Sequence, residues 1–526
     1  MVGKMERKKE KAEIIADLQK RVDSNILERN NFDLLKKLIE NADNLDEAIK
    51  IAELGTTYKR TGFHFDKRLE RQTTDISYFK KNTELSFETA QNAITHKLII
   101  GDNYPALLNL LIQYKGEIDV IYIDPPYGKD KMGEFAETNY DNAITRDNLL
   151  SMLYPRLYLA KQLLSDNGVI FCSIDDKNQA YVKGLFDEVF DEQCFVASVI
   201  WKNKFGSGAK TKGFIGVHEY ILVYTKNTGV DFARKLTDKE RTEYNKTKDE
   251  KFATRGGYVT QPLAVTTFDD RPSLQYPVIY NGQEILPKKQ WVWSKEKMEL
   301  AIKNNEVVFN LQSDGTYNLR SKKYLIDEDG CERKGQPTTF YTDVYTQNGT
   351  KNMRDLFGSV IFDYTKPVEL MKYFLALEVV GGASKDCVVL DFFAGSGTTG
   401  QAVLELNKED NGNRQFILVT NNEKTDTTPN GIAIDVTSKR LKRVMTGKCY
   451  GGTSDFEWAK KNKPLGDNLE VLEIAEVPNF EHLEGKTPFD VIDETLYGKE
   501  KLSVREKVEW VCDNFEITQK KLSEDK

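Results

Sequence analysis

The sequence predicts an α/β protein built on a largely parallel sheet, preceded by a helical region and interrupted by an inserted α+β domain. Three observations carry that expectation. Apolar strand-like runs alternate with amphipathic helical runs from His96 to Asn227. The same texture returns at Lys366, and the stretch between the two is polar, with short irregular strand-like pieces. Strands alternating with helices imply βαβ units, whose crossover connections require parallel strands. At 526 residues the chain exceeds one ordinary core, so about three or four domains are expected. A content of 39% hydrophobic and 11% aromatic residues can fill them and excludes a disordered chain.

Taken in order, residues 1–90 form a helical N-terminal region. Ile14, Ile15, Leu18 and Val22, then Leu34, Leu35, Leu38 and Ile39, fall on helical faces among charges. They suit either a packed helix pair or an arm used in dimerisation. Residues 91–227 open the α/β part: HKLIIGD is a strand, YPALLNLLIQYKGEI a helix, and DVIYIDPPY a buried strand ending in a turn. NLLSMLYPRLYLAKQLL and YVKGLFDEVF read as helices, NGVIFCSIDD and HEYILVYTKN as strands. Residues 228–360 are the insert, with the pieces LQYPVIYNG, KQWVWS and NEVVFN. Residues 361–450 resume the α/β pattern, with KPVELMKYFLAL a helix, DCVVLDFFAGSGTTG a strand and glycine turn, RQFILVTNNE a strand and DVTSKRLKRVM a helix. Residues 451–526 are a mixed acidic tail with no assigned role.

Several classes are disfavoured. The six cysteines are scattered without a CxxC pair and the four histidines are dispersed, which argues against a disulfide framework and against a metal site. The start MVGKMERKKEKAEII lacks the apolar core of a signal peptide, and no apolar run approaches the roughly 18 residues of a membrane span. A soluble cytoplasmic protein is expected. The net charge of −7 superficially disfavours nucleic acid, but binding follows local potential. The segment Phe195–Val217 holds Lys202, Lys204, Lys210 and Lys212 and no acid before its end, which marks a loop for phosphate contacts or, equally, a solvated surface.

Two segments carry chemistry. Asp391 to Gly400, DFFAGSGTTG, follows a buried strand and opens a helix. There glycines let the backbone approach a ligand closely, and the helix start presents free N–H groups. GSGTTG satisfies the G-x-G-x-x-G pattern, so a dinucleotide site is the rival reading. Asp391 favours S-adenosylmethionine instead, because a carboxylate suits an ammonium and repels a pyrophosphate. Phe393, Ala394, Gly395, Gly397, Thr398 and Thr399 line the turn, and Glu423, at the end of the next strand, is placed for ribose hydroxyls of either ligand.

The other segment is Asp124-Pro125-Pro126-Tyr127, at the carboxyl end of a strand, where ligands bind in open α/β sheets. The prolines fix φ and remove donors, leaving carbonyls as acceptors. An amino group on a heteroaromatic ring is a poor nucleophile, since its lone pair is delocalised. The Asp124 carboxylate and the Pro125 carbonyl can accept its two hydrogens and free the lone pair for attack on a sulfonium methyl. Tyr127 can stack on a base taken out of the duplex. Asp102 and Asn103, after the preceding strand, are candidates for the cofactor's adenine. Lys366, before Pro367, is a candidate to pack over its methionine moiety, with a plain helix start as the alternative.

DPPY together with DFFAGSGTTG resembles the amino-methyltransferases of DNA, and the order of the two resembles their permuted β group. The likeness is closer still to the modification (Mod) subunits of type III restriction-modification systems, on YPRLYLAKQLL, GVIFCSIDD, HEYILVYTKN, Trp291-Val292-Trp293, KTPFDVIDE and EKVEWVCDNFEITQ. The resemblance implies a Rossmann-like S-adenosylmethionine-dependent methyltransferase fold of circularly permuted motif order, with the insert as target-recognition domain. It also implies N6-adenine specificity, a homodimer acting on double-stranded DNA, and an ATP-dependent restriction (Res) subunit as partner. No metal is expected. No GxxxxGK[ST] is present, so ATPase activity would belong to the partner. The chain looks shorter than many Mod subunits, and Gly128 replaces the asparagine expected after Tyr127. An orphan methyltransferase, an RNA or protein-glutamine methyltransferase, and a non-catalytic specificity subunit are the alternatives.

Overall fold

The computed structural model describes residues 11–23, 29–54, 76–127, 146–206, 213–266, 269–379 and 385–477. The chain divides into two compact units, Met1–Asp66 and Lys67–Lys526. The first holds helices α1 (Lys11–Asp23), α2 (Arg29–Asn41) and α3 (Leu45–Leu54). Its core is Ile14, Leu18, Phe32, Leu35, Ile39, Ala42 and Ala48. The stripe on α2 therefore runs through Phe32, Leu35 and Ile39, and the expected partners Leu34 and Leu38 are exposed. Successive residues turn by about 100° around a helix, so a stripe anchored by Phe32 leaves those two leucines on its flank.

The second unit is organised by a ten-stranded sheet. Its strands are β1 (Ile76–Lys81), β2 (Thr95–Ile100), β3 (Ile118–Ile123), β4 (Leu164–Ile174), β5 (Phe195–Lys202), β6 (His218–Thr225), β7 (Phe340–Tyr341), β8 (Val388–Asp391), β9 (Gln415–Thr420) and β10 (Asn468–Val477). Their spatial order is β1-β10-β2-β9-β8-β3-β4-β6-β5-β7. The six strands from β10 to β4 are parallel, while β6 runs against both β4 and β5. Helices α4 (Asn103–Tyr114), α5 (Arg146–Leu163) and α6 (Gln179–Phe190) fall between the early strands. Helices α7 (Thr346–Phe357), α8 (Val368–Leu375), α9 (Thr398–Asp410) and α10 (Lys439–Thr446) belong to the later part. Strands β8 and β9 lodge between β2 and β3, so sequence-distant halves share one apolar core that includes Leu98, Tyr122, Phe171, Val389 and Leu418.

Three elements differ from the sequence expectation. Residues 195–202, expected as the start of a basic loop, are strand β5, because Val199 and Trp201 alternate inward and Trp201 Nε1 donates to the Val344 carbonyl at 2.7 Å. The tail contributes β10, held parallel to β2 by buried Leu469 and Val471 and by a Lys97–Glu470 ion pair at 2.7 Å. Residues 76–81, within the region expected to be helical, pair antiparallel with that tail strand as β1. Between β6 and β7 lies a smaller core around Trp291, Met298 and Leu319, built on antiparallel pairing of 258–262, 307–311 and 317–324. β7 joins its far end to β5.

His96 is fully buried where β2, β9 and β10 meet. Its Nδ1 accepts from the Phe416 amide at 3.1 Å, its Nε2 lies 3.2 Å from Asp467, and its ring stacks on Phe416. Burial pushes its pKa down, which keeps Nδ1 an acceptor.

Candidate active site

Strands β3 and β8 are parallel neighbours, with Leu390 opposite Ile121, so their carboxyl ends reach the same edge of the sheet. Asp391 ends β8 and Asp124 follows β3, close enough that the Asp124 charge adds to the rise of the Asp391 pKa. The two chemistry-bearing segments thus share the edge where open α/β sheets bind ligands.

At the Asp124 turn, Pro125 is buried and Pro126 exposed. Lys366 Nζ lies 3.0 Å from Asp124 Oδ1, 3.2 Å from Glu219 Oε2 and 2.9 Å from the Tyr127 hydroxyl oxygen, so its three donors have three acceptors. The Tyr127 hydroxyl is 3.0 Å from Asp124 Oδ1 and 3.3 Å from Glu219 Oε2. Burying a lone ammonium costs several kcal/mol, and here the two acids offset it. Burial alone would depress the Lys366 pKa, yet Asp124 and Glu219 outweigh it and hold the pKa above its ordinary value. Burial also raises Asp124, with Glu219 adding to the rise and Lys366 opposing it. Tyr127 is pushed up by burial and by both acids, and stays a neutral phenol. The sequence placed Lys366 over the cofactor's methionine moiety; its ammonium is instead committed to the Asp124 turn. It approaches from the segment before α8, where Pro367 is the N-cap.

Glu219 was not singled out in the sequence. It sits at the amino end of β6, and because β6 is antiparallel to β4, that end reaches the same sheet edge as Asp124. Asn203, just after β5, donates to Glu219 Oε1 at 2.9 Å. The sole signal was an acid beginning a buried strand in HEYILVY.

The glycine turn is built from backbone. Gly395 (φ +47) and Gly397 (φ +77) take left-handed conformations, and Gly397 is the N-cap of α9. A Cβ on Gly397 would stand 3.0 Å from Thr437 Cγ2. The Ala394 amide donates to the Val419 carbonyl at 3.0 Å, and Thr398 Oγ1 meets Ser396 Oγ at 3.1 Å and Arg440 Nη1 at 2.8 Å. Asp391 is buried, accepting from the Phe393 amide at 3.0 Å and from Thr399 Oγ1 at 2.6 Å. Burial pushes its pKa up to about 7. Among the described residues no basic side chain pairs with it, so this buried carboxylate is chemically suited to a ligand bringing a positive charge. The turn fits S-adenosylmethionine on that ground and would hold it through Asp391, Gly395, Gly397 and the start of α9.

Asp102 caps α4, its Oδ1 accepting from the Tyr104 amide at 2.7 Å and from Arg156 Nη2 at 3.1 Å. The carboxylate is turned into the helix start. Asn103 is buried, takes a hydrogen bond from Arg156 Nε and donates to the Phe392 carbonyl at 2.8 Å. It thereby braces the glycine turn. Arg156, fully buried on α5, went unnoticed because an arginine in YPRLYLAKQLL reads as a solvent-facing helix residue. Glu423 follows β9, half-buried, its carbonyl accepting from the Ile432 amide at 2.9 Å. Lys202 ends β5 half-buried, its ammonium 6.0 Å from the Tyr345 ring centroid, and exposed Lys204 donates to the Gly216 carbonyl at 3.1 Å. The pair flanks Asn203, which touches Glu219. Lys210 and Lys212 lie outside the described residues.

Fold and site define an open α/β protein of permuted strand order, its ligand edge carrying an acid–diproline–tyrosine turn beside a glycine-rich helix start. The chain belongs to the DNA methylase family of N6/N4 type, whose profile matches residues 118–441, more than half of it. A second profile, described as an uncharacterised conserved protein, matches residues 12–120. The Mod subunit of the type III restriction-modification enzyme StyLTI of Salmonella typhimurium is 32% identical over 75% of this chain and 62% of its own. The EcoPI Mod subunit of Escherichia phage P1 is 31% identical over 66% of this chain and 62% of its own. The type II methyltransferase M.KpnI of Klebsiella pneumoniae is 28% identical over 68% of this chain and 88% of its own. The chain thus spans less than two thirds of those Mod subunits. No helix among the described residues is long and apolar enough to cross a membrane.

Proposed function

We propose that this protein is an S-adenosylmethionine-dependent DNA methyltransferase acting on the N6 amino group of adenine. The observation that carries the reading is the pairing of β3 with β8, which sets the Asp124 turn beside Asp391 and the glycine turn. When bound, S-adenosylmethionine supplies an electrophilic methyl group. Asp391 holds a ligand ammonium, and the free N–H groups at the start of α9 meet an adjacent carboxylate. Asp124 Oδ1 is engaged by Lys366 and Tyr127, so Oδ2 is the oxygen offered to a target amine. Oδ2 and the Pro125 carbonyl accept the two amine hydrogens and draw the nitrogen toward a tetrahedral geometry. Positioning and charge placement provide most of the acceleration. Tyr127 packs against the extruded base.

Adenine rather than cytosine rests on Asp124 and Tyr127, the DPPY residues whose family resemblance implies N6-adenine specificity. The 228–360 insert reads sequence in the grooves, and Lys202 and Lys204 contact phosphates beside the pocket. The protein works in the cytoplasm as a homodimer and as the modification subunit of a type III-like system with a Res partner. A second reading, a solitary methyltransferase, is favoured by the M.KpnI match, which spans 88% of that enzyme where the Mod matches span 62%. Incubation of duplex DNA with labelled cofactor, followed by nucleoside mass spectrometry, is expected to give N6-methyladenine. N4-methylcytosine would reassign the base, and absence of transfer would overturn the function. Co-purification with a Res subunit separates the two readings.

A further inference from the structure

Two carboxylates and one ammonium meet at the Asp124 turn, and the proposed chemistry uses only one of the acids. Lys366 Nζ is divided between Asp124 at 3.0 Å and Glu219 at 3.2 Å, and the Tyr127 hydroxyl bridges the same pair. Glu219 is held in place from its other oxygen by Asn203. With both acids ionised the cluster carries two negative charges and one positive, a net −1. A Lys366 serving Asp124 alone would neutralise it and leave a weak hydrogen-bond acceptor facing the substrate.

We propose that Glu219 is a positioning residue of the reaction: by sharing the Lys366 ammonium it keeps Asp124 basic enough to take a hydrogen from the target amine. The inference rests on the methyl-transfer reading. In the transfer, the nitrogen lone pair forms the N–C bond and the electrons of the broken S–C bond stay on sulfur. The surplus N–H proton passes to Asp124 Oδ2 and then to solvent. The residual negative charge opposes the positive charge that develops on nitrogen, at the point of the reaction where it counts most.

Other titratable groups face the cluster: Tyr122 from β3, Cys172 from β4 and Asp391 from β8. Burial raises the pKa of Tyr122 and Cys172, so both are neutral at ordinary pH. Of the charged groups, Lys366 and Glu219 act most strongly on Asp124, with opposite signs. Removing the neighbouring acid makes Asp124 easier to ionise, and removing the neighbouring cation makes it harder.

The test is the pH profile of single-turnover methyl transfer in Glu219→Gln, Lys366→Met and the double variant. In Glu219→Gln the acidic limb is expected to move roughly one pH unit lower, with the plateau rate down about tenfold. In Lys366→Met the limb moves higher, the double variant falls between, and Glu219→Asp restores the wild-type profile. An unmoved limb in Glu219→Gln, or movement in the same direction as Lys366→Met, overturns the proposal. A lower melting temperature alone would make Glu219 only a support for Asn203. Infrared titration of the protonated carboxyl band, assigned by its loss in Asp124→Asn, reads the same shifts without DNA. It keeps this inference testable should the wild-type protein methylate nothing.

Discussion

The two ends of the ligand edge are built on different principles. The glycine turn is a contiguous run whose geometry comes from backbone: two left-handed glycines, a helix start and an aspartate that ends its own strand. The Asp124 turn is a charge cluster assembled from three places, with Asp124 and Tyr127 after β3, Glu219 at the start of β6 and Lys366 before α8. At the first, a buried acid has no basic partner among the described residues; at the second, the protein supplies its own cation. Binding is expected to depend on the first and turnover on the second, so a lesion in each should separate the two quantities.

The largest separation is expected from Asp124→Ala. Methyl transfer should fall on the order of a thousandfold or more, about 4 kcal/mol of barrier, with cofactor affinity by calorimetry nearly unchanged. Loss of affinity in parallel would mean that the two ends are not separable. The reciprocal lesion, Gly397→Val, forces a branched side chain into φ +77 and against Thr437. Strain of about 1–3 kcal/mol should weaken cofactor binding by about fivefold to a hundredfold, while turnover at saturating cofactor is largely kept.

A smaller effect sharpens the contrast through pH. The Asp391 pKa is raised to about 7, so in the free protein this carboxyl ionises well above the ordinary carboxylate range. Stability should therefore decline as pH climbs from the ordinary carboxylate range toward about 7, because the folded state holds a proton that the unfolded chain has released. A bound ammonium reverses the preference. Cofactor affinity should weaken as pH drops through about 7, and binding near that pH should release protons, detectable as a buffer-dependent heat in calorimetry. Heats independent of the buffer would remove Asp391 from the binding site. The smallest effect is expected from Lys204→Ala, which should lower DNA affinity and reduce the slope of log affinity against log salt by about 0.9, with cofactor binding unaffected.

The same contrast explains what was legible in the sequence. DFFAGSGTTG and DPPY could be read because each completes its local geometry within a few residues, and the alternating texture around them reported the sheet. Glu219 and the true placement of Lys366 were hidden. A salt-bridged cluster has no spacing rule when its members come from separate elements, and only the antiparallel course of β6 brings Glu219 to that edge. Arg156 was hidden for a similar reason, since its burial depends on Asp102 and Asn103 supplying acceptors across the fold. Strand β10 does alternate, Leu469 and Val471 inward against Glu470 outward, but its acids left the tail as a mixed acidic segment with no assigned role. In β5 the lysines that follow it masked the inward alternation of Val199 and Trp201.

Methyl donor and acceptor are expected to face each other at the carboxyl edge that the paired strands β3 and β8 share. A crystal structure with sinefungin, in which an amine replaces the sulfonium methyl, addresses it most directly. The ligand's amino-acid end is expected against Asp391 and the start of α9, with the replacing amine pointing toward the Asp124 carboxyl. A ligand seated away from Gly395 and Gly397, or an Asp124 carboxyl turned from it, would rule out methyl transfer at this edge.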